Sequence, residues 1–182
     1  VSFEYNQTGI KIFNSFNLKI EEGKTIGIVG KVGSGKTSIL DLICRIYDPS
    51  SGDVFIGDKN LKSLELNELR KNISYVTQNN FLFSESIQKN IEFGNPNATK
   101  EEVKQAAILA EIDSEILKFK KGYETILGER GVTLSGGQVQ RLSIARSFIK
   151  DSEIYLFDDC FSSLDSDTED RIIKNLNNNF KD

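Results

Sequence analysis

The sequence predicts an α/β fold with parallel strands, and three observations carry the prediction. An apolar run, Thr25-Ile26-Gly27-Ile28-Val29, leads into the glycine-rich octapeptide Gly30-Lys31-Val32-Gly33-Ser34-Gly35-Lys36-Thr37 and then into a helical pattern from Ser38 to Tyr47. A second continuous apolar run, Ile154 to Phe157, has the composition of a strand buried on both faces and ends in paired carboxylates, Asp158 and Asp159. Between the two runs lie stretches of helical period, Thr99 to Phe119 and Gly136 to Ile149, so strands and helices alternate along the chain.

The octapeptide fits G-x-x-x-x-G-K-[ST] and stands between a strand and a helix, as that pattern requires. Glycines let the backbone wrap closely round an anion with successive N–H groups turned inward. The helix that follows adds its terminal N–H groups and the positive end of its dipole. Lys36 is long enough to reach the outer phosphates of a nucleotide, and the Thr37 hydroxyl can ligate Mg²⁺. The competing reading is a glycine-rich turn that matches by chance, which the strand–loop–helix context disfavours.

With 182 residues the chain is long enough for one domain with a real core, and 38% hydrophobic with 27% charged residues is ordinary for a globular protein. The formal net charge of −4 argues against a nucleic-acid binder, whose affinity comes mainly from basic surface. No apolar run approaches the length of a membrane span. Cys44 and Cys160 have no metal-ligand spacing and read as reduced core residues of a cytosolic protein. Histidine is absent.

Taken in order, Val1 to Tyr5 alternates as a short strand. Phe16 to Ile20 and Lys24 to Val29 read as strands joined at the Glu21-Glu22-Gly23 turn. Asp53 to Ile56 and Ile73 to Val76 are further short strands, with a short helix over Leu64 to Arg70 between them. Ser84 to Ile91 reads as helical with Ser84 as its cap. Thr99 and Glu102 form a capping box at the head of the helix that runs to Phe119. Gly122 and Gly128 punctuate a loop. Leu142, Ala145, Phe148 and Ile149 share one face of the next helix, and a last helix, Asp165 to Asn178, turns Ile172, Ile173 and Leu176 inward. Few prolines and no long linker argue for one compact unit over 1–182.

In phosphate-loop enzymes an acid-tipped apolar strand lies beside the loop strand, and its first carboxylate holds Mg²⁺ near the outer phosphates. On this reading Asp158 is the metal residue, and Asp159 stands where a base would polarise an attacking water. Leu134-Ser135-Gly136-Gly137-Gln138 supplies a third element: Ser135 is a natural helix cap, and two glycines leave the backbone open to an anion. Taken alone, that pentapeptide is also compatible with a plain turn and cap.

The order of these three elements resembles the ATP-binding cassette (ABC) ATPases, and the resemblance runs from Val1 to the end of the chain. Leu134 to Gln138 looks like the family's signature, extended by Gln140-Arg141 and Ala145-Arg146. Gln78 sits where the family has its Q-loop glutamine, Ser163-Leu164-Asp165 resembles the D-loop, and Tyr5 lies where an aromatic residue stacks on adenine. Thr125-Ile126-Leu127-Gly128-Glu129-Arg130-Gly131, Lys121 to Thr125, and Phe81 to Ile87 followed by Asn90-Ile91 are similar to exporter-type members. In that group these segments face the cytoplasmic ends of transmembrane helices. Importer ATPases and DNA-repair or translation relatives share the core motifs but usually lack the Gly-Glu-Arg-Gly element.

The resemblance implies an ABC ATPase fold: a P-loop NTPase core with a parallel sheet, an antiparallel β subdomain and a helical signature subdomain over approximately 84–148, truncated at the C-terminus. It implies ATP and Mg²⁺ as ligands. Gly30, Val32, Gly33, Ser34 and Gly35 would bind the nucleotide together with Lys36, Thr37, Ser38 and the Tyr5 ring. Thr37, Gln78 and Asp158 would hold the metal, while Asp159, Gln78 and Lys36 would serve catalysis. The signature would act on ATP held by a second nucleotide-binding domain. A transmembrane domain is the other implied partner, with no nucleic acid, at the cytoplasmic face of the cell membrane. The implied activity is ATP hydrolysis coupled to export. A soluble ABC ATPase in DNA repair or translation is the second reading. A phosphate-loop kinase or GTPase leaves Leu134 to Gln138 unexplained, and the guanine-reading Asn-Lys-x-Asp is absent.

The sequence departs from the family pattern in two places. Active members have Glu directly after the metal-binding Asp; here that residue is Asp159, whose carboxylate retreats by about 1–1.5 Å from a common backbone position. A base must stand within about 2.6–3.2 Å of the proton it takes, and a misplacement of about 1 Å can cost on the order of 100-fold in rate. The expectation is good ATP binding with slow cleavage at this site, within a heterodimer whose faster site uses the intact Leu134 to Gln138. The family also carries a switch histidine on a strand beyond the last helix. The chain reaches Asp182 without a histidine, so it reads as a fragment of a longer polypeptide with an N-terminal membrane domain, nearly inactive alone.

Overall fold

The computed structural model describes residues 1–128 and 132–179. The chain divides into two compact units, Val1–Ile73 and Ser74–Asp182.

In the first unit β1 (Phe3–Tyr5) pairs antiparallel with β2 (Ile10–Phe13), Tyr5 opposite Ile10. Helix α1 (Lys36–Ile43) follows the glycine-rich octapeptide. A small hairpin, β3 (Phe55–Ile56) and β4 (Lys59–Asn60), leads through a 3₁₀ turn at Leu61–Ser63 to α2 (Leu66–Lys71). Neither β2 nor β4 was expected from sequence, since each is too short to show a period. Conversely, the expected strands over Phe16 to Ile20 and Lys24 to Val29 do not form. Among the described residues neither segment joins a ladder, and most of 16–34 is exposed. An apolar run makes a segment competent for a strand, but a strand exists only where a neighbour takes its N–H and C=O groups.

Helix α1 also stops short of Tyr47. Arg45 leaves the helix at a φ of +49°, and its guanidinium donates to the Leu61 and Leu64 carbonyls at 3.1 and 2.9 Å. Arg70 closes the same corner by donating to the Cys44 carbonyl at 3.2 Å.

In the second unit β5 (Ile73–Val76) lies parallel beside β6 (Ile154–Phe157). The long connection between them is helical: α3 (Ile87–Glu92), α4 (Lys100–Leu109), α5 (Asp113–Ile116) and α6 (Gly136–Phe148). Helix α7 (Ser166–Asn179) follows β6. Helix α6 packs against α3 and α4 over a core that includes Ile87, Ile91, Ile116, Leu142 and Ile144, none more than 1% exposed. Burial of each such side chain stabilises the fold by about 1.5–3 kcal/mol.

Three details differ from the sequence expectation. Ser86, not Ser84, caps α3, its Oγ accepting from the Lys89 N–H at 3.1 Å. The helix expected over Thr99 to Phe119 is broken at Glu111, which takes a φ of +57°. Arg141 donates to the Glu111 carbonyl at 3.0 Å and Arg171 to its carboxylate at 2.8 Å, so distant residues hold the break. Of the three apolar residues expected to face inward from α7, Ile172 is buried, while Ile173 and Leu176 are half-buried. The Thr99–Glu102 capping box forms as expected. Glu129, Arg130 and Gly131 of the Gly-Glu-Arg-Gly element lie outside the described residues. No helix among the described residues is long and apolar enough to cross a membrane.

Candidate nucleotide-binding site

Residues Gly30 to Gly35 form an exposed loop closed by the Ser34 N–H donating to the Lys31 carbonyl at 3.1 Å. Gly33 and Gly35 take φ values of +79° and +90°, where an L side chain is strained. At Gly35 space is closed as well: a Cβ would clash with Ile12 and lie 2.8 Å from Phe13 Cζ. Strand β2 thus lies directly against the loop, which is why the backbone there must be bare. Gly35 offers no side-chain cap to α1, and an uncapped helix N-terminus suits an anion. The Lys36 amine folds back over the loop and donates to the Gly30 carbonyl at 2.9 Å and the Lys31 carbonyl at 3.1 Å. Val32 at the loop tip is wholly exposed. Bare backbone around a folded-back cation fits a polyphosphate chain.

Tyr5 and Ser38 meet in the same unit. Their hydroxyls share a 2.8 Å hydrogen bond, and Ser38, on the first turn of α1, is buried. The Tyr5 ring stands edge-on to Phe3 and Tyr47, with centroids 5.0 and 5.3 Å away. The ring is therefore fixed to the helix that carries Lys36 and Thr37.

In the second unit the ends of β5 and β6 bring three more expected residues together. The Asp158 N–H donates to the Val76 carbonyl at 2.9 Å. Two residues past β5, Gln78 donates from Nε2 to Asp159 Oδ2 at 3.1 Å. Asp158 is buried and Asp159 exposed. Asp159 takes a φ of +48°, in the left-handed region that Asp tolerates better than bulkier residues. Burial pushes the neighbouring Cys160 thiol up to about 12, so it is a core sulfur and not a nucleophile. Among the described residues no group of three His, Cys, Asp or Glu could cage a metal. Mg²⁺ needs no such cage: it keeps several waters and takes one or two carboxylates plus phosphate oxygens. Within the second unit, Gln78 and Asp158 supply side-chain oxygens of that kind at the ends of β5 and β6.

The signature pentapeptide heads α6. Ser135 Oγ accepts from the Gln138 N–H at 3.3 Å, and Gln138 Oε1 accepts from the Ser135 N–H at 2.9 Å, a reciprocal cap. Gln138 also donates to Glu115 at 2.8 Å, and Arg141 pairs with the same carboxylate at 2.8 Å. Leu134 packs against the helical core. Gly136 is exposed and Gly137 half-buried at the helix start.

One constellation was invisible as such in the sequence. Arg146 donates to the Phe81 carbonyl and the Asn90 carbonyl, both at 2.8 Å, and to Asn90 Oδ1 at 3.0 Å. Its guanidinium lies 5.5 and 5.6 Å from the ring centroids of Phe83 and Phe93. Burial presses the Arg146 pKa downward. Buried Asn90 accepts from the Phe83 N–H at 2.8 Å and donates to the Phe83 carbonyl at 3.0 Å. Together the two side chains pin the segment after Gln78 to α6. The residues were legible as a resemblance, but no local pattern shows that they join.

These parts occur together in one class of protein, the ATP-binding cassettes. The ABC transporter family model matches residues 13–162, and the chain belongs to that family. It is 43% identical over 182 residues to the Iron-sulfur clusters transporter ABCB7, mitochondrial, of Oryzias latipes, covering 100% of this chain and 24% of that protein. It is 45% identical over 169 residues to a Putative multidrug export ATP-binding/permease protein of Staphylococcus aureus, covering 93% of this chain and 29% of that one. Its fold matches a bacterial Atm1-family ABC exporter with ATP bound at a TM-score of 0.92 and 36% identity, over 97% of this chain and 31% of the other. The resemblance is thus to exporter-type nucleotide-binding domains, and a repair or translation ATPase is not favoured. The chain spans about a quarter of the length of the curated relatives named here.

Proposed function

We propose that this domain binds ATP with Mg²⁺ and hydrolyses it to power export across a membrane. It would do so by closing on a second nucleotide-binding domain, with ATP held between one domain's phosphate loop and the other's signature. The observation that carries the reading is the Gly30–Gly35 loop with the Lys36 amine resting on its carbonyls at 2.9 and 3.1 Å, a cation that phosphate oxygens can draw away. The exporter relatives support transport as the coupled work.

In this proposal the loop residues Gly30, Val32, Gly33, Ser34 and Gly35 wrap the phosphates, and Lys36 neutralises the outer ones. Ser38 holds Tyr5, whose ring supports adenine. Thr37, Gln78 and Asp158 would hold Mg²⁺, which would supply positive charge against the phosphates. Asp159 takes the proton as water attacks the γ-phosphorus and the bond to the bridging oxygen breaks, with ADP leaving. The short Asp159 side chain makes this site slow, and the signature at Leu134, Ser135, Gly136, Gly137 and Gln138 serves a faster site on a different partner. A transmembrane domain couples closure to transport at the cytoplasmic face of the membrane.

Lys36→Ala should lower ATP affinity at least about tenfold, or 1.4 kcal/mol, by calorimetry. Unchanged binding would sink the phosphate-loop assignment. In the full-length transporter Asp159→Asn should leave total turnover nearly intact if the partner site is the fast one. A dead Asp159→Asn variant would instead mean that Asp159 works at equivalent sites of a homodimer.

A further inference from the structure

Gln140 lies one turn inside α6 and is buried, with both ends of its side-chain amide in use. Nε2 donates to Ser162 Oγ at 3.1 Å, and Oε1 accepts from the Ser163 N–H at 3.0 Å. Ser162 Oγ in turn donates to the Asp159 carbonyl at 3.1 Å. The same loop forms the floor beneath the signature glycines. A Cβ on Gly137 would lie 3.0 Å from the Ser163 carbonyl oxygen, and one on Gly136 would lie 3.4 Å from Ser163 Oγ. The start of α6 therefore meets loop 159–163 twice, once through backbone contact and once through the Gln140 amide.

We propose that Gln140 is a positioning residue: its amide locks the signature turn Ser135–Gly137 to the loop that follows Asp159, and so sets how that turn is presented to ATP. This rests on the reading that the signature closes over ATP held by another domain. The chemistry is selective. A neutral amide donates and accepts at once; a carboxylate keeps only the acceptor, and a thioether keeps neither bond at useful strength. The signature turn acts through backbone N–H groups and the Ser135 hydroxyl, and a shift of about 1 Å in such groups costs on the order of 100-fold in rate. Because the signature serves the partner's site, the effect is read in total turnover whether the partner is a second copy or a different chain.

The test uses the full-length transporter. Gln140→Met keeps length and volume but loses both bonds. Its steady-state ATP turnover should fall at least about tenfold while KM for ATP stays within about twofold, because the phosphate loops are untouched. Gln140→Glu, which still accepts from the Ser163 N–H, should recover part of the lost turnover. Ser162→Ala removes one partner of the amide from the exposed side. It should lower turnover by itself and add little on top of Gln140→Met. Should Gln140→Met not fold, Ser162→Ala decides. If Gln140→Met or, failing that, Ser162→Ala turns over within about twofold of the parent while Ser135→Arg is dead, the positioning role is overturned and the sandwich reading stands. Full turnover in Ser135→Arg overturns both.

Discussion

Around the phosphate loop, residues 16–34 are mostly exposed, and the loop holds its shape through backbone angles at Gly33 and Gly35 and one folded lysine, Lys36. The signature turn at Ser135 sits on a helical core and is held by side chains: the Ser135–Gln138 cap, the Gln138 and Arg141 bonds to Glu115, and the Gln140 amide. The two regions bind opposite sides of the same kind of ligand in the proposed function, yet they are stabilised differently. The loop must open for an anion, so its own contacts are few and replaceable by phosphate oxygens. The signature must meet a ligand that another domain brings, so its geometry is set beforehand by packing. A binding element completed by its ligand can be loose in isolation, whereas one that presents itself to a partner has to be rigid.

That contrast can be broken most forcefully at Gly94, in the turn after α3. A Cβ there would run into the Arg146 carbonyl and lie 2.8 Å from Ile149 Cγ2, so α6 would have to move. Gly94→Ala should destabilise the fold by about 3 kcal/mol, read as a lowered midpoint in denaturant. Wild-type stability would show that the signature helix is not rigidly packed. Gly35→Ala attacks the other side. It should weaken ATP binding at least about tenfold by strain at a φ of +90°, with the denaturation midpoint of the helical region unchanged. A global loss of folding in that variant would mean that the loop is structural as well as a ligand cradle.

A milder probe is Thr99→Ala, which removes the α4 cap and touches no residue of either binding element. It should cost about 1 kcal/mol of stability and leave ATP affinity alone. A change in affinity would show that the helical core transmits strain to the loop. The smallest effect concerns Asp165 at the head of α7, whose carboxylate accepts from the Thr168 N–H at 2.9 Å. Hydrogen bonds from the Thr168 backbone and side chain hold its carboxyl below the ordinary range of an aspartate. A carboxyl with a lowered folded-state pKa stabilises the fold above its unfolded value and loses that contribution as pH falls through the folded one. Asp165→Asn should therefore flatten the acid limb of stability below the ordinary carboxylate range and change little at neutral pH. An unaltered acid limb would assign that limb to other carboxylates.

The sequence by itself determined the parts whose chemistry is local. Lys36 and Thr37 belong to one octapeptide, Asp158 ends one apolar run, and Ser135 with Gln138 makes one cap, so neighbouring residues carry the whole signal. The Thr99–Glu102 box was legible for the same reason. The tertiary structure alone decided which competent segments found partners. Ile10–Phe13 became a strand because β1 lies beside it, while Lys24 to Val29 did not, because no described neighbour supplies a ladder. Arg141 and Arg171 hold the break at Glu111 from 30 and 60 residues away. Gln78 meets Asp159 across 81 residues, and Gln140 reaches Ser162 across 22. A hydrogen bond costs a buried polar group its water and returns a net gain only when the opposite group stands at the right distance and angle. Residue type announces the need for such a partner, but only the folded chain determines which group meets it.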